Sequence, residues 1–570
     1  MQALAQAIRA LKKTPGLSLL VVLILAIGIG ANTSVFTLIN AALLKPLPYR
    51  DAAHLMSVST IDRSGGTTNG CLSYPHFQLL AGRSRSFSEI AAFTNETFSV
   101  STGAAEPIES QAARVSWNFF AVLGVAPAIG RAFTAEEGNA GAKPVVMISN
   151  AFWRQRFHGN PSVIGKLIDL DSKPYTIIGV VPPSFQFGLL GDDINIWTPH
   201  IDELNLASTQ QIQGGTCYLD SVARLAPGIS IEQAQAEMKV LDRVYVRDFA
   251  KMGDADPKRP VEVTLLKSKL VGNFRSIFVV LAAAVGLVAF IACANAAGLL
   301  LTRVLRRRRE VAIRIAMGAA RKQLLSQFLT ESVTLALLGG IVGVILSLAA
   351  TRLLVRLAGD TLPRMAELPA GIDLVVLAFA FALSILCGVL CGLAPALQFS
   401  AANVSANLRE EGRGTAGARS RNFSRNLLVV GQIAITLILL VAAGLLIRSF
   451  ILLETQAPGF NSRNVLTMSI ALPPSKYVKP EQMTGFFDQL VRRVRTLPSV
   501  EAAAVSSALP INVARLTPIW VEGQPQQLLP ERPIIIVQAY TAGYLRVMQI
   551  PLKRGRFFND FDRRDSLPVT

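Results

Sequence analysis

Charge is scarce in this 570-residue chain, with Asp, Glu, Lys and Arg together making up 16%, against about a quarter in a typical soluble domain. With 51% hydrophobic residues and a mean hydropathy of +0.42, that shortage points to a membrane protein. Five cysteines are too few for a disulfide scaffold. The four histidines, His54, His76, His158 and His200, are scattered without metal-ligand spacing, which suits core or solvated positions better than a metal site. The sequence has no Gly-x-x-x-x-Gly-Lys-Ser/Thr run, so it lacks the usual phosphate cradle for binding and hydrolysing ATP. Glu136-Glu137 and Glu410-Glu411 read as solvated pairs, because adjacent residues on a helix do not face each other as a catalytic dyad must. No cofactor, metal site or catalytic constellation is expected, and hence no enzyme. Gly (42) and Pro (30) occur at ordinary levels, which excludes collagen-like and low-complexity classes.

What the chain does have is long apolar runs. Residues 17–44, 277–301, 333–351, 374–400 and 427–447 are uncharged, and each is near or above the roughly 20 residues a spanning helix requires. The first is longer than the apolar part of a signal peptide. It runs through Asn32, Thr33, Phe36 and Asn40 to Lys45-Pro46 without a convincing cleavage site, so it reads as a retained anchor rather than a cleaved leader.

The formal charge of +18 is concentrated beside these runs. Residues 1–16, 302–332 and 400–426 hold sixteen basic and four acidic residues, twelve of the eighteen net charges. Short basic segments stay cytoplasmic. That rule puts the amino terminus, 302–332 and 400–426 inside and 45–276, 358–372 and 453–570 outside, with no conflict across five spans. The basic balance is then mostly topology. No aromatic-interleaved basic stripe supports nucleic-acid binding.

The large outside segment carries mixed signals. Residues 173–182 (Lys-Pro-Tyr-Thr-Ile-Ile-Gly-Val-Val-Pro) predict a short buried strand bounded by prolines. Residues 229–238 predict a helix after the Pro227-Gly228 turn, with Ser230 as its N-cap. The expected class is therefore a membrane α-helical protein of five transmembrane helices with α+β extracytoplasmic domains.

An internal repeat organises the rest. Residues 115–133 match residues 540–558: Gly130-Arg131 falls on Gly555-Arg556, Phe133 on Phe558 and Phe119 on Tyr544. Met56-Ser57 after the first run corresponds to Met468-Ser469 after the fifth. The fifth run and residues 453–570 thus read as a second, incomplete copy of the first run and its outside domain. That copy is expected to break off inside a strand at Pro568-Val569-Thr570, as in a C-terminally truncated chain. The resulting division is 1–44 (amino-terminal segment and first span), 45–276 (first outside domain) and 277–400 (three spans). A cytoplasmic linker (401–426), a fifth span (427–452) and an incomplete second outside domain (453–570) complete it.

Two blocks carry a family resemblance. Leu11-Lys-Lys-Thr-Pro-Gly16, leading into Ala26-Ile-Gly-Ile-Gly-Ala-Asn-Thr33 and Leu43-Leu-Lys-Pro-Leu-Pro-Tyr49, resembles the entry into MacB-type permeases. Residues 307–321 (Arg-Arg-Arg-Glu-Val-Ala-Ile-Arg-Ile-Ala-Met-Gly-Ala-Ala-Arg), followed by Gln327-Phe-Leu-Thr-Glu-Ser332, resemble the signature of the FtsX-like permease domain. The half-repeat is most similar to the duplicated orphan permeases of that superfamily. The resemblance implies MacB-like periplasmic core domains and a bacterial inner-membrane location. It also implies a separate cytoplasmic ATPase subunit as partner, an ABC-type machine that passes ATPase motion to the outside domain for export, and room for a periplasmic adaptor. A regulatory protein controlling an extracytoplasmic partner, such as a cell-wall hydrolase, is the alternative. Contact with membrane lipid is expected, as is a homo-oligomer or a pseudo-dimer formed through the repeat.

Within the second block, Arg308, Arg309, Glu310, Arg314, Gly318 and Arg321 make up a candidate ATPase-coupling elbow. Val311 with Ile315 and Ala312 with Ala316 recur at helical spacing, and Gly318 can end that helix in the left-handed conformation. Topology alone would also make this loop basic. Cys71 and Cys217 both fall outside and are candidates for a disulfide, whereas Cys293, Cys387 and Cys391 read as apolar packers in spans. Asn32, Asn40, Asn295 and Gln432 read as polar glue between helices. The absence of deep ionisable residues argues against an ion-coupled transporter.

Overall fold

The computed structural model describes residues 15–61, 70–102, 107–191, 194–205, 207–272, 274–306, 321–358, 373–400, 416–456, 458–470, 479–510, 515–525 and 532–559, together with 472, 477, 561, 562 and 566. The strands are β1 Leu55–Thr60, β2 Leu72–Ser73, β3 Phe87–Ser101, β4 Ile108–Val115, β5 Ile129–Gly130, β6 Val145–Ile148 and β7 Leu167–Leu170. They continue with β8 Lys173–Val180, β9 Ile196–Thr198, β10 Cys217–Leu225, β11 Val261–Leu265, β12 Arg515–Pro518 and β13 Ile534–Val537. The principal helices are α1 Pro15–Ile39, α2 Tyr74–Arg83, α3 Phe119–Leu123, α4 Asn150–Phe157, α5 Ile231–Asp248 and α6 Phe274–Arg306. After them come α7 Arg321–Ala358, α8 Leu374–Ser400, α9 Ala416–Thr455, α10 Pro480–Arg495 and α11 Tyr544–Val547. The chain divides into two compact units: Met1–Lys45 with Val271–Gln456, and Pro46–Leu270 with Ala457–Thr570.

The first unit is helical. Among the described residues five helices are long and apolar enough to cross a membrane: Pro15–Leu44, Arg275–Arg303, Ser326–Leu353, Leu374–Leu393 and Val429–Thr455. The third begins about two turns before the position read from sequence, so Glu331, only 8% exposed, lies inside an apolar helix, near its end rather than deep within it. Helix α1 is gripped by α6, α7 and α8, and small residues set the grip. A Cβ on Gly28 would stand 2.8 Å from the Ala292 Cβ, and one on Gly30 would stand 2.9 Å from the Gly343 carbonyl oxygen. Backbones approach closely only where side chains are small, which is how helices associate without a hydrophobic drive between them. Asn32 Nδ2 donates to the Val285 carbonyl at 2.7 Å and Gln432 Nε2 to Asn295 Oδ1 at 2.7 Å. These amides join α1 to α6 and α9 to α6. Cys293, Cys387 and Cys391 are buried in the same cluster as Val21, Leu25 and Ile29.

Among the described residues the second unit is built on an eleven-stranded mixed sheet, its path running β11-β1-β10-β3-β4-β9-β6-β8-β5, with β2 on β10 and β7 on β3 and β8. Most pairs are antiparallel, while β4–β9 and β6–β8 are parallel. Alternation sorts side chains between two layers. Leu55, Ala91, Phe93 and Val222 enter one core with Phe119, Phe120, Phe187 and Trp197. Met56, Val58, Ile90, Ala92 and Ala223 enter another beneath α2 and α5. With apolar layers on both faces, β1 is buried at every position. Residues 173–180 form a strand, and Ser230 caps α5, accepting from the Gln233 N–H at 3.3 Å while Gln233 Oε1 accepts from the Ser230 N–H at 2.9 Å. The Gln235 side chain closes the outer edge of β11, donating to the Val261 carbonyl at 3.0 Å and accepting from the Val263 N–H at 2.7 Å. Such cover keeps an edge strand from recruiting another chain. A two-stranded antiparallel sheet, β12–β13, lies in the later segment.

Candidate functional site

Of the elbow residues, Arg308, Arg309, Glu310, Arg314 and Gly318 lie outside the described residues, and Arg321 is the first residue of α7. Glu410 and Glu411 also lie outside them. The geometry that can be built from the residues upward sits at the other end of the bundle, where α1 finishes and α8 begins.

Helix α1 ends in a π-turn, Asn40–Leu44, closed by the Lys45 N–H on the Asn40 carbonyl at 2.8 Å. Lys45 precedes Pro46 and takes the extended conformation that proline imposes on its predecessor (ψ 135°). Asp373 caps α8: its Oδ1 accepts from the Val375 N–H at 3.0 Å. Its Oδ2 accepts from Lys45 Nζ at 2.9 Å and Asn40 Nδ2 at 3.3 Å. The hydrogen bond from Lys45, then the cap, hold the Asp373 carboxyl below its ordinary range. Further along the same two helices Phe36 and Phe379 stack with centroids 3.9 Å apart and planes 7° apart. Asn40 is therefore more than general glue; it shares a carboxylate with Lys45.

In the other unit Cys71 and Cys217 are disulfide-bonded, their Cα atoms 5.4 Å apart. Two residues on, Ser73 caps α2, which carries His76. His76 is 1% exposed, with Nε2 3.4 Å from Asp242 Oδ1 and Nδ1 3.3 Å from Asp254 Oδ2, distances of ion pairs rather than of well-aligned hydrogen bonds. Its ring stacks on Tyr245 at 3.9 Å, and the Tyr245 hydroxyl donates to Asp254 Oδ1 at 2.7 Å. Burial alone would lower the His76 pKa; the two carboxylates outweigh it and raise it. Burial would likewise raise Asp254, but His76, Tyr245 and Ser73 bring it below its ordinary value. Arg114, 2% exposed, gathers a second buried network: Glu96 at 3.0 Å, Asn205 Oδ1 at 3.2 Å, the His200 carbonyl at 3.3 Å and Glu203 at 3.4 Å. The His76 cluster is sealed from solvent and ties α2, α5 and Asp254 together, whereas the Arg114 network is buried at the guanidinium and opens to solvent at Glu203, whose side chain is 45% exposed. Of the remaining histidines, His54 is exposed beside Asp51 at 2.8 Å, and His158 ends α4 with φ +53°.

The matched segments 115–133 and 540–558 fold alike. Gly130 and Gly555 take φ values of +82° and +90°, the left-handed region glycine tolerates. Arg131 binds both oxygens of Glu137, at 2.9 and 2.6 Å, and Glu137 accepts the Thr134 N–H at 2.9 Å. Arg556 binds both oxygens of Asp562, each at 2.7 Å, and Asp562 accepts the Asn559 N–H at 2.9 Å. The hydrogen bond from Arg131 holds Glu137 low, and that from Arg556 brings Asp562 to about 2. Glu137 is thus a clasp residue, not the solvated partner of Glu136 expected from sequence. Its signal was available: an arginine six residues before an acid in both copies. Backbone bonds repeat too. Ser116 N–H reaches the Ala92 carbonyl at 2.8 Å, and Thr541 N–H reaches that of Val505 at 2.9 Å.

No group of three or more metal-ligating side chains occurs among the described residues. A surface cavity of about 290 Å³ lies beside the start of α4, lined by Phe185, Phe187, Leu190 and Trp197 with Ser149 and Asn195, and none of its described lining residues is charged.

Comparison with known proteins gives two family matches. The description "MacB-like periplasmic core domain" fits residues 18–241, and "FtsX-like permease C-terminal" fits residues 282–404. The macrolide export ATP-binding/permease protein MacB of Sodalis glossinidius is 29% identical over 261 residues, 45% of this chain and 38% of that protein. Its Burkholderia pseudomallei counterpart is 31% identical over 238 residues, 41% of this chain and 34% of that protein. The aligned part thus spans well under half the length of these curated relatives. Among solved structures, the periplasmic region of MacB from Actinobacillus actinomycetemcomitans aligns at 14% identity over 39% of this chain and 94% of that one, TM-score 0.29. The extracellular domain of the transporter YknZ from Gram-positive bacteria aligns at 16% identity over 37% and 99%, TM-score 0.27.

Proposed function

The chain belongs to the MacB/FtsX-type ABC permeases, a family that implies a cytoplasmic ATPase partner, and from that premise we propose that it transmits the motion of such an ATPase to its extracytoplasmic domain to move a substrate outside the membrane. One observation carries the reading. The segment Pro46–Leu270 is entered directly from α1 and left directly into α6. Those two helices are clamped together by Asn32 on the Val285 carbonyl at 2.7 Å and by the Gly28–Ala292 approach. A rigid pair anchoring both ends of one domain is suited to moving it as a body. The basic segments then face the cytoplasm and the amino terminus lies inside. The elbow of Arg308, Arg309, Glu310, Arg314, Gly318 and Arg321 is the contact for the ATPase. Residues 453–570 act as a second core domain, a reading supported by the repeated Arg131–Glu137 and Arg556–Asp562 clasps. Two core domains in one chain would give a pseudo-dimer able to receive a periplasmic adaptor.

Purification of the full chain from native membranes tests this. A nucleotide-hydrolysing subunit should copurify, with its ATP turnover altered by the permease. Recovery of a cell-wall hydrolase in its place, with no ATP-dependent change in the outside domain, would favour the regulatory alternative.

A further inference from the structure

We propose that Asp373, with Lys45 and Asn40, is the joint that delivers displacement of α8 to the chain entering the extracytoplasmic domain, and that Asp373 and Lys45 are its positioning residues. The proposal rests on the force-transmitting reading above.

Four independent features meet here. The Asp373 carboxylate is divided between two helices, with Oδ1 on the Val375 N–H of α8 at 3.0 Å and Oδ2 on the Lys45 and Asn40 side chains at 2.9 and 3.3 Å. The cap needs only one oxygen, so the second is available for the bond between helices. The donor side lies on a π-turn, a rare form of helix that recurs at functional sites. Its closing bond, from the Lys45 N–H to the Asn40 carbonyl at 2.8 Å, ties both donors into one rigid loop. The Phe36–Phe379 stack supplies a second point of contact on the same helices, so that α8 is attached at two levels and resists pivoting. Finally, Lys45 is the last residue of the helical unit and Pro46 the first of the other. Whatever moves the Asp373 carboxylate moves the covalent root of the domain. A charge-assisted bond is roughly twice as strong as a neutral one, and Asn40, 5% exposed, has its amide spoken for by the same oxygen.

The test uses the full chain copurified with its ATPase, reading hydrogen exchange over residues 46–270 with and without ATP, and ATP turnover in parallel. Asp373→Asn keeps an N-cap of equal quality but loses the ion pair. Lys45→Met keeps the stem and loses the charge, and Lys45→Arg keeps the charge. In the wild type ATP should change exchange in 46–270. Asp373→Asn and Lys45→Met should lose that difference while turning over ATP normally, and Lys45→Arg should retain it. A difference that persists in Asp373→Asn overturns the joint and leaves the force-transmitting reading standing. Loss of ATP turnover together with the exchange difference in both variants overturns it as well, since the pair would then be a structural brace. No ATP-dependent difference even in the wild type overturns the reading beneath it.

Discussion

Replacing His76 by glutamine removes the cation from between two buried carboxylates, and the cost can be worked from the geometry. His76 is held 3.4 Å from Asp242 and 3.3 Å from Asp254, with all three residues less than a tenth exposed. Asp254 retains the Tyr245 hydroxyl at 2.7 Å and the Ser73 N–H at 3.0 Å, and Asp242 retains the Val261 N–H at 3.4 Å. Those donors are uncharged and do not replace a cation. Breaking a buried pair by removing one partner costs about 3–5 kcal/mol. In a domain of this size each kcal/mol shifts Tm by about 2–4 °C, so the domain transition should fall by roughly 6–20 °C. Tyr245→Phe removes two hydrogen bonds, to the Asp254 carboxylate at 2.7 Å and with the Ser73 hydroxyl at 3.1 Å, and leaves the charges, for about 2–4 kcal/mol. The pH profile separates charge from packing. The folded His76 pKa is raised above its unfolded value, so its stabilisation is fully present below about pH 6.5 and is lost as pH rises through the folded value. The folded Asp254 pKa is lowered, so its stabilisation is present above about pH 3.9 and is lost as pH falls through the folded value. Scanning calorimetry of the full chain in detergent across this range should show a plateau with two falling limbs, and His76→Gln should lack the alkaline one. A variant within about 1 °C of wild type at neutral pH, or one keeping the alkaline limb, would refute the charged triad.

Three further outcomes are expected from the same structure. Gly30→Val places a Cβ 2.9 Å from the Gly343 carbonyl oxygen; α1 must separate from α7, and thermal scans of the detergent-solubilised chain should show a destabilised helical unit with the outside-domain transition unmoved. The proposed topology predicts that a cysteine replacing Glu89, an exposed position on β3, reacts with impermeant maleimide in intact spheroplasts, while one replacing Arg413 reacts only after permeabilisation; the natural outside cysteines are tied in the Cys71–Cys217 disulfide and give no background. At the elbow, Gly318→Val forces a β-branched residue into a left-handed cap if Gly318 ends the helix, costing about 1–2 kcal/mol. It should abolish stimulation of the partner ATPase, whereas Arg306→Lys should leave stimulation intact; equal stimulation by both would mean that only total charge counts.

Local features were legible in the sequence. The strand at 173–180 came from an apolar run between prolines, and the cap at Ser230 from a Pro-Gly turn ahead of a periodic segment. The repeat was legible because two stretches preserve glycine, arginine and aromatic positions at a fixed offset. The features that fasten the fold were not. His76 meets partners 166 and 178 residues away, Arg114 meets Asn205 across 91, and Lys45 meets Asp373 across 328. Only the sheet order and the helix packing bring such residues together, and neither leaves a periodic trace. Asp373 was hidden for a further reason: hydropathy marks where α8 becomes apolar and says nothing of the acid that caps it.

Force transmission across the membrane is tested most directly by distance. With spin labels at Glu89 on the MacB-like core domain and Glu481 on α10, both exposed, pulsed dipolar spectroscopy can be run on the chain copurified with its ATPase. Trapping the ATPase with ATP and vanadate should shift the distance distribution relative to the nucleotide-free state, and a hydrolysis-dead ATPase cycled with ADP should not. An unchanged distribution, in a preparation whose ATPase is demonstrably trapped, would contradict the account.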